Sequence, residues 1–259
     1  MLFYFSCTGN TLWAAKEMAE SLHEELINIA DKDTWIKHYQ LKAGEKLGFC
    51  FPVHGWRPPM FVRNFVQHIQ IQLTNDTYCF ALCTAGDTIG EAMDIFKHDL
   101  HNKSIMLHSA FSLIMPESYV GLPFMDVDKP VNEKKKITQA KAKLNSIIPQ
   151  IANHIKGNIH LTIGNWPKIN SRVIGGFFTK HLITDRPFKV SSSKCLHCGK
   201  CQAACPVNNI SMTNLHTPTW KHNGSCLACF NCYHHCPVHA IEYGWMTQHK
   251  GQYYFGRNK

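Results

Sequence analysis

Eight of the twelve cysteines in this 259-residue chain fall between residues 195 and 236, as two copies of one run. Cys195, Cys198, Cys201 and Cys205 recur as Cys226, Cys229, Cys232 and Cys236, each 31 positions on. The flanks repeat as well, Cys205-Pro206-Val207-Asn208-Asn209-Ile210 against Cys236-Pro237-Val238-His239-Ala240-Ile241. A repeat of this fidelity implies two equivalent half-sites. Both copies read C-x2-C-x2-C-x3-C-P, and three thiolates at x2 intervals can wrap one cube of iron and sulfide. Structural zinc favours paired knuckles separated by a longer spacer. Disulfides belong to oxidising compartments. The opening Met1-Leu2-Phe3-Tyr4-Phe5 has no basic stretch, long apolar run or small-residue cleavage site, so a secretion signal is not expected and a cytoplasmic location is.

A second constellation lies near residue 1. Ser6-Cys7-Thr8-Gly9-Asn10-Thr11 joins a short apolar strand to a helical pattern. Hydroxyls at 6, 8 and 11, a glycine at 9 and the free N–H groups of a helix start make a neutral cradle for a phosphate dianion. There is no lysine for a Walker loop, and no G-x-G-x-x-G anywhere in the chain. Two further loops fit the same place. Pro52-Val53-His54-Gly55-Trp56 and Thr84-Ala85-Gly86-Asp87 each follow a strand candidate, at the edge where α/β sheets bind ligands. His54 reads either as a hydrogen-bonding or proton-donating group or as an ordinary loop histidine. Cys7 reads either as a thiol sharpened by the helix start or as a small filler. His234-His235 need not be ligands, because four cysteines already serve each half-site.

The elements that must hold these residues follow from periodicity. Strand patterns at Leu2–Phe5, Leu26–Ala30, Leu47–Val53, Tyr78–Cys83 and Ile105–Ile114 alternate with helical patterns at Leu12–Leu26, from Pro58, at Ile89–Leu100 and at Asn132–Lys156, the last with Pro149 as a possible kink. That alternation predicts a doubly wound parallel sheet. Residues 161–187 carry too many large apolar side chains for a loose tether and are expected to be a packed connector. No apolar run reaches the ~18–20 residues of a membrane span.

The cysteine region resembles bacterial two-cluster ferredoxins over residues 188–245. That resemblance implies crossed ligation: Cys195, Cys198 and Cys201 with Cys236 on one [4Fe–4S] cluster, and Cys226, Cys229 and Cys232 with Cys205 on the other. Gly199 would let the backbone bend near a cluster, with Trp220, Ile210 and Ile241 packed over the pair. The S-x-T-G-N-T string resembles the FMN phosphate loop of flavodoxins, which implies strand order 2-1-3-4-5 with FMN at the switch point. It implies FMN contacts from Ser6, Thr8, Gly9, Asn10 and Thr11, from Pro52, Val53, His54, Gly55 and Trp56, and from Thr84, Ala85, Gly86 and Asp87. Flavodoxins often cover one ring face with an aromatic from the later loop; none stands here, so an open face is expected. Met115-Pro116-Glu117-Ser118-Tyr119 resembles a segment of fused flavodoxin–ferredoxin proteins, as does the chain as a whole. The expected organisation is a flavodoxin-like α/β domain over 1–160, the connector over 161–187, a small α+β ferredoxin domain over 188–245 and a tail over 246–259.

The charge agrees with this picture. The formal net charge is +9. Seven Lys/Arg against one acid, Glu242, give +6 after residue 187. Two oxidised clusters at about −2 each would bring that region to about +2, which removes the case for a nucleic-acid partner and leaves a face suited to acidic redox partners. The function expected is electron relay between FMN and two [4Fe–4S] clusters, linking a low-potential donor to a second partner. The alternative is a flavin-dependent reductase of a small organic substrate fed by the clusters. No catalytic residue stands out beyond His54.

Overall fold

The computed structural model describes residues 1–257. Its centre is a parallel sheet of β1 (Leu2–Tyr4), β2 (Leu26–Asn28), β3 (Lys46–Pro52), β4 (Tyr78–Ala85), β5 (Ser109–Ile114) and β6 (Ile159–His160). The spatial order is β2-β1-β3-β4-β5-β6. This is the doubly wound order 2-1-3-4-5 with one added edge strand. β4 is central, and all eight of its residues are buried, as a parallel strand covered on both faces must be.

Alternation along the strands sends side chains to two cores. Phe3, Phe49 and Phe51 point to the face covered by α2 (Met60–His68) and α3 (Ala92–His101), meeting Val62, Phe65 and Phe96. Leu2, Cys50, Phe80 and Leu82 point to the other, meeting Ala14 and Met18 of α1 (Asn10–Leu22) and Leu144 and Ile147 of α4 (Pro130–Ala152). Pro149 sits in the last turn of α4 and does not end it there. The helices start and stop within a few residues of the periodic patterns. β6 was not visible in the pattern: it has two residues, both exposed.

The connector is helical, which the sequence did not suggest. π-wound turns at Ile169–Ile174 and Phe178–Leu182 flank an α-wound Gly175–Phe177. It lies against the loop after β3. A Cβ on Gly175 would fall 2.1 Å from the Gly55 carbonyl oxygen, so only glycine permits this backbone approach. Phe178 packs on Gly55 and stands edge-on to Tyr119. The connector packs on this inner side alone; Ile169, Val173, Ile174 and Phe177 are exposed.

The cysteine region has two antiparallel pairs, Ile210–Met212 with Pro218–Trp220 and Phe188–Val190 with Ile241–Tyr243. Two single-turn helices, Lys200–Ala203 and Asn231–His234, complete it. Its core is aromatic: Phe188 stacks on Trp220 at 5.3 Å and meets Phe230 and Tyr243. The tail then returns to the sheet. Tyr253 donates its hydroxyl to Asn10 Oδ1 at 2.6 Å, Phe255 N–H donates to the Thr8 carbonyl at 2.7 Å, and the Phe255 ring stacks on Trp13.

Candidate functional site

The three loops at the carboxyl edge of β1, β3 and β4 open into one cleft of about 480 Å³. Ser6, Cys7, Thr8, Asn10, Thr11, Pro52, Val53, His54, Gly55, Trp56, Thr84, Ala85, Gly86 and Asp87 all line it; Gly9 does not. Gly9 instead turns the chain into α1 in the left-handed conformation, φ +93°. Among the described residues, the N–H groups of Thr8, Gly9, Asn10 and Thr11 find no protein acceptor, whereas Leu12 N–H is taken by Ser6 Oγ and Trp13 N–H by the Gly9 carbonyl. Four unpaired donors at a helix start favour an anion. The side chains hold the loop in place: Thr8 reaches Ser118 Oγ at 3.2 Å, Thr11 reaches Thr84 Oγ1 at 2.8 Å, and Asn10 donates to the Pro116 carbonyl at 3.0 Å. This cradle fits the phosphate of FMN, and the cleft has the volume of a cofactor site.

The opposite wall was not foreseen. Pro116–Tyr119 crosses from β5. Glu117 Oε1 accepts from Ser118 and Tyr119 N–H at 2.8 Å each, and the carboxyl lies so close to Gly86 that a Cβ there would meet it at 2.1 Å. Burial pushes the Glu117 carboxyl above the usual range. Lys136 ties the Gly86 carbonyl to Asp128, and Asp128 accepts from Glu117 N–H. The segment whose role the sequence left blank thus joins the phosphate loop to the loop after β4. The connector adds Ile174, Phe177, Phe178 and Leu182, and the 122–125 turn adds Leu122, Phe124 and Met125. The loop after β4 supplies no aromatic cover, and these distant elements stand over the cleft instead. Trp56 is held by Nε1 on Thr88 Oγ1 at 3.1 Å. Burial lowers His54 to about 4, so it is neutral near pH 7.

The eight cysteines gather in two hollows. One is lined by Cys195, Cys198, Cys201 and Cys236, the other by Cys205, Cys226, Cys229 and Cys232. Each hollow therefore draws three cysteines from one copy and one from the other. Backbone N–H groups aim at four sulfurs: His197 at Cys195, Ala228 at Cys226, Asn209 at Cys205 and Ala240 at Cys236, at 3.1–3.4 Å. These donors form two pairs related by the 31-residue repeat. So do the left-handed residues that turn the chain, His197 with Ala228, Gly199 with Phe230 and Asn208 with His239. Burial drives the Cys201 thiol up to about 11 and Cys226 to about 12, so thiolates here require a cationic centre. Among the described residues no three His, Cys, Asp or Glu side chains close on a single-ion site. Four sulfurs that rim each hollow without closing on a single-ion site, with N–H donors at its edge, fit a cluster better than one ion. Ile210 and Trp220 line the second hollow and Ile241 the first.

Residues 188–237 match the 4Fe-4S dicluster domain family. This dicluster region covers the whole cysteine repeat through Cys236. Among solved structures, the chain is similar to the Trp repressor binding protein from Bacillus subtilis, at 12% identity and TM-score 0.35, over 60% of this chain and 97% of that one. It is also similar to rubredoxin oxygen:oxidoreductase from Desulfovibrio gigas, at 15% identity and TM-score 0.33, over 58% of this chain and 36% of that one. No curated protein sequence matches the chain.

The dicluster region touches the cleft directly. Leu227, Ala228 and Cys229 line it, and Cys229 lines the second hollow too. Cys7 of the 6–11 loop lies beside the Cys229 side chain, and this neighbour together with burial pushes the Cys7 thiol well above its usual range. Neither earlier reading of Cys7 contained this contact, since nothing in the sequence places residue 7 beside residue 229. His234 is a structural link, not a ligand. Nε2–H donates to the Ser118 carbonyl at 2.7 Å, Nδ1 accepts from Tyr253 N–H at 3.1 Å, and burial lowers it to about 3.

Proposed function

We propose that the chain is an electron-transfer protein holding FMN in the cleft and a [4Fe–4S] cluster in each cysteine hollow, and that electrons pass between them within one polypeptide. The observation that carries this reading is Cys229, which borders both the second hollow and the cleft. When bound, a flavin exchanges electrons singly or in pairs and each cluster exchanges one, so the set can join a one-electron donor to a two-electron acceptor.

Each part of the chain has a task in this scheme. The unpaired N–H groups of Thr8 to Thr11 hold the phosphate. Trp56 and Val53 flank the ring, and neutral His54 offers a hydrogen bond without adding charge to the site. Crossed pairing ties the hollows rigidly together, because each is completed by the other copy's fourth cysteine. Cys7 and Leu227 fill the space between cleft and hollow and exclude water from it. Acidic redox proteins remain the expected partners at the basic face of the dicluster region.

The second reading, reduction of a small organic acceptor at the flavin, is favoured by the apolar wall of Phe124, Phe177 and Phe178. Anaerobically prepared protein is expected to carry about eight irons and eight acid-labile sulfides, with one FMN, per chain. In stopped-flow reduction of the clusters, the flavin bands should bleach at a rate independent of protein concentration. Second-order bleaching would refute the internal relay.

A further inference from the structure

The connector exposes a row of large apolar side chains that nothing in the chain covers. Ile169 is 52% exposed, Val173 65% and Phe177 58%, at intervals of four residues, so they share one side of the helical connector, and Trp166, 75% exposed, stands just before its first turn. Ile174, 46% exposed, adjoins them. Across the cleft mouth stands Phe124, 83% exposed. Cations accompany the row. Lys168 and Lys180 are exposed, Arg172 pairs with Glu91, and residues 161–184 contain no Asp or Glu. The other side of the same helix is anchored: Ser171 is buried and receives Glu91 N–H at 2.7 Å, and Gly175 rests on Gly55.

We propose that this face docks the protein on an anionic lipid surface, with the connector lying in the headgroup plane and the cleft mouth turned toward the bilayer. A helix with an apolar side, an exposed Trp and flanking lysines is the pattern of interfacial attachment. Among the described residues no helix is long and apolar enough to cross a membrane, so contact is confined to the surface. Three other occupants explain less. A small apolar ligand accounts for Phe124 and Phe177 at the mouth, yet Trp166, Ile169 and Val173 lie outside the cleft. A second copy of the chain would set Lys168 and Lys180 against their own like with no acid between. A transient redox protein would meet the lysines, but such interfaces are small and do not need five large apolar side chains. An anionic bilayer satisfies both the charge and the apolar row.

The test is co-sedimentation of the full, cofactor-loaded chain with vesicles of equal parts phosphatidylglycerol and phosphatidylcholine, and with phosphatidylcholine alone. Binding is expected to the anionic vesicles, at least tenfold weaker to the neutral ones, and reduced by salt. Trp166→Ser with Val173→Ser should cut vesicle affinity at least tenfold while leaving flavin and iron content unchanged, as should Lys168→Glu with Lys180→Glu. Equal sedimentation of the parent and the Trp166/Val173 variant would overturn the proposal. So would failure of the parent to bind anionic vesicles at low salt. A variant that leaves sedimentation unchanged but turns a dimer into a monomer would assign the face to a second copy instead.

Discussion

The two halves of this chain are built on opposite principles. The sheet half buries two apolar cores, with β4 shielded on both faces, and its cleft is shaped by backbone turns at the ends of that sheet. The dicluster region has three-residue strands, four-residue helices and one small core, and eight cysteines stand where a larger protein would place aliphatic residues. Small domains bury too little surface to be stable unaided. On the function proposed above, the first half is therefore a host that receives its cofactor and the second a dependant held together by its own.

The largest expected effect tests that contrast. Anaerobic removal of iron should abolish hydrogen-exchange protection across residues 188–245 while β3 to β5 keep theirs. Simultaneous loss in both regions would break the comparison. Next in size, Cys205→Ser should erase the cluster that shares a hollow with Cys226, Cys229 and Cys232, leaving about half the iron and slowing flavin reduction; loss confined to the cluster of Cys195, Cys198 and Cys201 would refute crossed ligation.

Within the sheet half the counterpart is a protein-only support. Arg63 grips Asp99 with two hydrogen bonds of 2.6 and 2.8 Å, and Asp99 is buried on α3. Arg63→Ala strands that carboxylate and should cost about 3 kcal/mol in denaturant unfolding of the sheet half, with iron content unchanged. The smallest effect concerns pH. Burial raises the Glu117 carboxyl, so the folded state binds its proton more tightly than the unfolded state does. Stability of the sheet half should rise as pH falls through the folded value toward about 4.5, and Glu117→Gln should flatten that slope in thermal melts.

Legibility in the sequence follows the same divide. The strands and helices of the sheet could be read because Phe3, Phe49 and Phe51 alternate with residues of the other face, and because Val62, Phe65 and Val66 recur at helical spacing. The two equivalent cysteine runs could be read from an unusually regular repeat, whereas their crossed grouping comes from the resemblance to two-cluster ferredoxins. What could not be read are contacts between distant stretches. Pro116–Tyr119, Phe178 and Leu227–Cys229 meet the cleft through tertiary packing that leaves no periodic mark. The connector helix is hidden for another reason: its apolar residues face outward, so their presence there does not mark burial.

The return of the tail fixes an order in time. The loop at residues 6–11 is synthesised well before Tyr253 and Phe255, which brace Asn10 and Thr8 and come some 240 residues later. At typical elongation rates that interval is roughly 12–50 seconds. This side of the cleft therefore stays unbraced until every cysteine of both hollows has been made, and the first half of the chain waits on the second to finish its own cleft.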